Sequence, residues 1–252
     1  MTESPIVVRG LSFGAVADTY DRYRPAPPSE AVDWVLPPNA VDVLDLGAGT
    51  GAVTRLLRER VPGKVVGAEP DARMRAVLVR RSLEVLAVGA RAEALPFASD
   101  TFDAVAVSSA WHWMDVSLAV PEVARVLRPG GHLGVLWNGP ARDIAWVAEL
   151  LGPRRETVGP ASDHAGRHRV ELPPDAPFTT PETIVITWSM PMTRDDLVGL
   201  ASTYSAVITR PAEERSKILR RVERLASAHA DLESGTTIQL PMRCRCWRAT
   251  RS

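Results

Sequence analysis

The sequence predicts an α/β chain: a doubly wound, mostly parallel sheet of seven strands, with an N-terminal arm before it and a lid insertion in its C-terminal half. Three observations predict it. Between about residues 40 and 137, short continuous apolar runs alternate with stretches of helical spacing, the pattern of strands buried on both faces. The first apolar run ends in a glycine-rich turn at Gly47-Ala48-Gly49-Thr50-Gly51, immediately before helical spacing begins. Two more strand-like runs follow a Pro-, Gly- and charge-rich stretch at 152–177.

Taken in order, the arm holds Tyr20, Tyr23, Arg24 and Pro25, and a short helix capped by Ser29 runs through Trp34. Strands are expected at 41–47, 64–70, 83–90, 102–110 and 132–138, with helices at 54–61, 72–81 and 118–127 between them. Pro121 must lie in the first turn of the last of these helices or kink it. Leu127-Arg128-Pro129-Gly130-Gly131 is a helix stop. A sixth strand is expected at 183–190, helices at 194–207 and 213–228, and a last strand at 237–249 with Pro241 at a bend or bulge. The chain divides accordingly into an arm with a helix (1–39), a ligand-binding core (40–140), and a lid region with the remaining strands of the same domain (141–252).

Composition narrows the function. Of 252 residues, 45% are hydrophobic and 24% charged, enough apolar surface for a sizeable core. The formal net charge is +0, so the chain as a whole does not steer toward polyanions, and the basic excess after Arg210 reads as a solvated helix face and tail rather than a nucleic-acid surface. Cys244 and Cys246, two apart on a strand, share a face and form no ordinary disulfide; they read as small buried hydrophobes of a reducing, cytoplasmic compartment. No apolar run approaches the roughly 18 residues of a membrane span, and the opening MTESPIVVRG lacks the pattern of a secretory signal. His164, His168 and His229 have no partners at meaningful spacing and read as surface residues.

The glycine turn is where chemistry is expected. Glycines there let the chain turn tightly and let a ligand approach without a Cβ in the way. Glu69, closing the second strand some twenty residues on, can accept hydrogen bonds from both hydroxyls of a ribose. Gly47-x-Gly49-x-x-Ala52 also satisfies the looser dinucleotide pattern, but Asp45 directly beneath a diphosphate would repel it.

The run VLDLGAGTG (43–51) resembles the first motif of class I S-adenosyl-L-methionine (SAM)-dependent methyltransferases, and Glu69 in VVGAEP resembles their second-strand acid. ARAEALPFASDTFDAV (90–105) and EVARVLRPGGHLGVLWN (122–138) resemble their fourth- and fifth-strand segments. SFGAVADTYDRYRPAPPSE (12–30) and SSAWHWMD (108–115) are similar to the small-molecule, trans-aconitate methyltransferase-like group. The resemblance implies a Rossmann-like fold that binds SAM and methylates a small molecule, a hydroxyl or carboxylate above all. Asp45, Gly47, Ala48 and Gly49 would then lie under the methionine and ribose parts, Glu69 on the ribose, and Pro70 and Met74 along the adenine. Ala92 and Glu93 would meet the adenine edge, and Ser108 the methionine end. Many relatives carry an acid where this chain has Arg91, so the adenine amino group falls to the backbone at 91–93 or to Glu93.

On the acceptor side, His112 in Trp111-His112-Trp113 is the candidate base, because an imidazole titrates near neutrality; the two tryptophans are a candidate acceptor wall or packing for the lid. Tyr20 and Arg24 of the arm would fold over SAM, Arg24 pairing with a carboxylate of SAM or of the acceptor, and Tyr204 is a further candidate for the acceptor pocket. No metal is expected, and a monomer or homodimer suffices. A SAM-binding or RNA-directed module without small-molecule turnover, and an NAD-dependent oxidoreductase, are the competing readings.

Overall fold

A computed structural model describes residues 11–151, 170–228 and 236–252. The three histidines at 164, 168 and 229, and most of the expected loop at 152–177, lie outside the described residues. The chain separates into two compact units: a sheet unit of Ala26–Asn138, Asp163–Ile186 and Cys244–Ser252, and a companion unit of Met1–Pro25, Gly139–Ser162 and Thr187–Arg243.

The strands are β1 (Val43–Leu46), β2 (Val65–Ala68), β3 (Leu86–Val88), β4 (Phe102–Ser108), β5 (Leu127–Pro140), β6 (Glu182–Met192) and β7 (Ile238–Thr250), in the order β3-β2-β1-β4-β5-β7-β6. The first five pair in parallel, with Val43 opposite both Val65 and Ala104. The Gly130 N–H donates to Arg251, Arg251 donates back to Gly131, and Ala141 donates to Pro241. Residue numbers rise on one strand as they fall on the other, so β7 runs antiparallel to β5. The sheet is therefore mixed, with its turning point between β1 and β4.

Alternation on β1 shows why the strands read as unbroken apolar runs. Leu44 and Leu46 enter one cluster with Val105, Val107, Leu133 and Val135, over which the helix α5 (Val116–Val126) packs Val120 and Val123. Val43 enters the opposite cluster with Val65, Ala104 and Leu136, covered by α2 (Ser29–Val35) and α3 (Ala52–Arg58), the latter through Val53 and Leu57. Both faces are buried, so apolar residues fill them, and Asp45 is the exception within β1. The helix α1 (Ala17–Tyr23) belongs to the arm, and α4 (Ala72–Arg81) links β2 to β3. Cys244 and Cys246 are free and buried in the second cluster, their sulfurs 3.8 Å apart.

In the companion unit, α6 (Ala145–Leu151), α7 (Arg194–Ser202), α8 (Ser205–Ile208) and α9 (Ala212–Ala228) surround a separate core of Val147, Leu197, Leu200, Val222 and Leu240. Among the described residues, no helix is long and apolar enough to cross a membrane.

Several local expectations need correction. Ser29 is the first residue of α2, not its cap; Pro28, extended at ψ 150°, holds that place without a side-chain bond. The helix expected at 194–207 breaks after Ser202: the Leu200 carbonyl accepts from the Thr203 N–H at 3.1 Å and from its hydroxyl at 2.6 Å, and the Tyr204 N–H turns to Ala201 at 3.3 Å. Pro121 lies in the interior of α5, with its ring on the exposed side. Leu127-Arg128-Pro129-Gly130-Gly131 ends α5 as expected, yet it already belongs to β5, because Phe102 and Arg251 pair with it. The third strand spans only Leu86–Val88. Pro241 lies within β7, where its carbonyl accepts from Ala141.

Candidate functional site

At the carboxyl end of β1 the chain makes three left-handed turns, at Gly47 (φ 71°), Gly49 (φ 58°) and Gly51 (φ 87°). The first is hooked onto the neighbouring strand: the Gly47 and Ala48 N–H groups both donate to the Ala68 carbonyl, at 2.9 and 3.1 Å. The glycines differ in what surrounds them. A Cβ on Gly47 would stand 2.6 Å from the Cβ of Ala110, so that position is closed by the chain after β4. A Cβ on Gly49 would meet only the Met74 methyl at 3.5 Å, an ordinary contact. Gly49 therefore answers to backbone conformation and to whatever lies over it, not to crowding within the protein.

Glu69 follows β2 and is only 8% exposed. Its carboxylate accepts from the Gly49 N–H at 2.9 Å through Oε2 and from the Asp71 N–H at 2.8 Å through Oε1. Burial pushes this carboxyl up, and the two backbone donors pull it back toward the ionised form. Met74, on α4, is buried beside Gly49, while Pro70 is exposed.

Asp45, inside β1, is wholly buried. The Thr54 hydroxyl donates to Oδ2 at 2.5 Å, and Oδ1 has no hydrogen-bond partner among the described residues. Burial, with the negative Glu69 nearby, pushes the Asp45 carboxyl up to about 7. Two carboxylates thus lie under the glycine turn, one with a lone oxygen, and each gains from a donor or a cation in front of it.

On the next loop, Ala92 is buried in the sheet core. Glu93 Oε1 accepts from the Asp115 N–H at 2.8 Å, and Oε2 lies 3.5 Å from Arg91 Nε. Asp115 in turn caps α5 through the Ser117 N–H. Glu93 therefore ties the loop after β3 to the segment after β4. Arg91, the departure from the common acidic position, is the cation that Glu93 faces.

β4 ends at Ser108, and Ser109 is held in the left-handed region (φ 54°) while its N–H donates to Leu136. Trp111–Trp113 then form one 3₁₀ turn. Trp111 points inward and is 3% exposed, within the sheet core. His112 is exposed, its ring centroid 4.5 Å from that of half-buried Trp113.

Asp45, Gly47, Ala48, Gly49, Glu69 and Met74 are thus brought to one junction, and Ser108 and the Trp-His-Trp turn end the adjoining strand. Tyr20, Arg24 and Tyr204 belong to the companion unit, where they meet one another: the Arg24 guanidinium lies 5.3 Å from the Tyr20 ring and 4.3 Å from the Tyr204 ring. Thr54, Ala110, Ser109 and Asp115 contribute to the sheet-unit site without being legible in the sequence. A threonine in a helix, an alanine in a loop and a serine with positive φ carry no distinguishing pattern.

The methyltransferase domain family matches residues 44–135, the stretch that holds this junction. An uncharacterized methyltransferase of Mycobacterium tuberculosis is 43% identical over 240 residues, covering 95% of this chain and 96% of that protein. The chain is a class I SAM-dependent methyltransferase. A demethylmenaquinone methyltransferase of Thermus thermophilus is 42% identical to the methyltransferase over 134 residues, 51% of this chain and 57% of that one. A structure from Anaeromyxobacter dehalogenans, assigned as a type II methyltransferase, shares the fold at a TM-score of 0.62 and 24% identity, covering 91% of the methyltransferase and 98% of its own chain.

Proposed function

We infer that this methyltransferase binds SAM at the junction of β1 and β2 and transfers its methyl group to a small-molecule acceptor, a hydroxyl or a carboxylate. The observation that carries the reading is the pair of buried carboxylates beneath the glycine turn. SAM presents an ammonium and a sulfonium in its methionine part and a ribose diol, all of which these groups can favour. A dinucleotide would place a diphosphate there instead, against Asp45 and Glu69. Glu69 would hold the ribose hydroxyls while keeping its backbone donors, and Asp45 would favour the positive methionine end. Gly49, free of crowding from the chain, would admit the ligand to the backbone. Met74 and Pro70 would border the adenine, with the backbone at Ala92 on its edge, because Glu93 is engaged by Asp115 and Arg91.

When bound, SAM supplies a methyl group on a sulfonium, which is already electrophilic. The protein's task is then alignment and exclusion of water, worth on the order of 7–11 kcal/mol in well-oriented systems. His112 would take the proton of a hydroxyl acceptor; a carboxylate acceptor needs no base. Trp113 would border the acceptor. The half-length similarity to a quinone methyltransferase supports a small organic acceptor. The cytoplasm as its place is supported by the two free, buried cysteines.

Isothermal titration of the full chain with SAM is the test. Saturable binding, with methyl transfer from isotopically labelled SAM to a member of a hydroxyl and carboxylate panel, is expected. A folded protein that takes up no SAM would end the reading.

A further inference from the structure

Helices α3 and α4 join β1 to β2 and β2 to β3, but no helix lies between β3 and β4. The connecting chain, residues 89–101, makes a tight turn in which the Ala94 N–H donates to the Arg91 carbonyl at 3.2 Å, and its middle is gripped by α5. Glu122 Oε2 accepts from the Leu95 N–H at 2.8 Å, and Arg125 Nη2 donates to the Leu95 carbonyl at 2.9 Å. Both main-chain polar groups of Leu95 are thus met by charged side chains one helical turn apart. Arg125 Nη1 donates to the Phe97 carbonyl at 2.6 Å, and Arg125 Nε donates to Glu122 Oε1 at 2.7 Å. The hydrogen bond from Arg125 holds the Glu122 carboxyl down at about 2, so the pair stays charged. Farther on, the Asp100 and Thr101 N–H groups donate to the Arg125 and Val126 carbonyls. Beneath this latch Leu95 is buried in the sheet core, and the Phe97 ring meets Phe102 edge-on, with centroids 5.1 Å apart.

An ion pair three residues apart on a helix surface ordinarily contributes little. Here the pair sends three charge-assisted hydrogen bonds into the main chain of another segment, which a helix does not require. That segment directly follows the stretch expected along the adenine. Arg91 can only donate and Glu93 is engaged by the Asp115 N–H, so the adenine amino group falls to the main chain at 91–93. The turn is fixed on both sides: through Glu93 to the residue that caps α5, and through Leu95 to α5 itself. Adenine presents an amino donor beside a ring acceptor, and hypoxanthine presents the reverse. A main chain held in one orientation separates the two bases; one free to rotate its peptides can accommodate either.

We propose that Glu122 and Arg125 are positioning residues for the base of SAM, holding the turn at 91–95 so that its main chain selects adenine. The assignment rests on the SAM reading. Neither side chain touches the cofactor; both act through Leu95.

The test is calorimetry of the full chain with S-adenosylhomocysteine and S-inosylhomocysteine, which differ only in the base. The parent should favour the adenine compound roughly tenfold or more. Glu122→Ala and Arg125→Ala should each cut that preference to about threefold or less, as loss of one oriented hydrogen bond does. Glu122→Gln keeps an acceptor for the Leu95 N–H and should retain part of it. The reversed pair, Glu122→Arg with Arg125→Glu, restores the ion pair but turns a donor toward the Leu95 N–H and an acceptor toward its carbonyl. Its preference should stay lost, whereas a merely structural ion pair would be rescued. Without any ligand, hydrogen exchange at the Leu95 amide should rise in Glu122→Ala while β1 and β4 stay protected. An unchanged preference in the alanine variants, recovery in the reversed pair, or unchanged exchange at Leu95 would each overturn the assignment. A parent that binds both compounds equally would end this assignment alone. A folded parent that takes up neither would end the SAM reading and this role with it.

Discussion

At the scale of single residues, the glycines of the first turn separate into structural and ligand-facing ones. Gly47→Ala puts a Cβ 2.6 Å from Ala110 on a left-handed backbone, and a loss of about 2–3 kcal/mol is expected in urea unfolding. Gly49→Arg meets no such wall; it should stay folded by circular dichroism and lose SAM binding in calorimetry. Glu69→Gln keeps an oxygen for one backbone donor but loses the charge, so SAM should bind roughly 10–100-fold more weakly. Asp45 has a pH signature. Its folded value, about 7, lies above the ordinary 3.8 of the unfolded chain. The folded state therefore holds a proton that the unfolded state has released. Stability from this group is intact below pH 4, falls as pH rises, and levels off above about 7. Asp45→Asn should flatten that decline in thermal melts taken across the same range. A cationic ligand favours the ionised carboxylate, so SAM affinity should increase with pH up to neutrality in the parent protein and not in the variant.

At the scale of elements, the tie between Glu93 and the Asp115 N–H sets how the Trp-His-Trp turn is held. Glu93→Ala should raise hydrogen exchange at residues 109–115 while leaving β1 and β4 protected, because those strands lie in the core. Elements were legible where one rule governed them. The apolar runs of β1, β2 and β4 and the spacing of α4 follow directly from burial on two faces. The break after Ser202 was not legible, since the tightened turn in which the Thr203 N–H and hydroxyl share the Leu200 carbonyl leaves no mark in residue type or spacing. The strand character of Pro129-Gly130-Gly131 was hidden for a different reason. Its partners, Phe102 and Arg251, are distant in sequence, and propensity alone reads the segment as a stop. The candidate site divided in the same way: Asp45, Gly49 and Glu69 declare themselves by residue type and spacing, whereas the contacts of Arg24 and Tyr204 arise only from packing.

At the scale of the molecule, the two faces of the sheet impose different tolerances. Gly134 on β5 lies under α2, and a Cβ there would stand 2.5 Å from the Val35 Cβ. Gly134→Val should force the helix off the sheet and cost about 1–3 kcal/mol or more, seen as a lowered melting temperature. The same face encloses Cys244 and Cys246, the only cysteines of the chain. The neighbouring sulfur of Cys246 and then burial push the Cys244 thiol up, so it stays protonated and inert in the native state. The same contact pulls the Cys246 thiol down, so burial alone shields that sulfur, and alkylating reagents reach neither cysteine until β7 is uncovered. The rate at which the chain takes up such a label, measured without added denaturant, becomes a built-in clock for how often the face of β7 comes open.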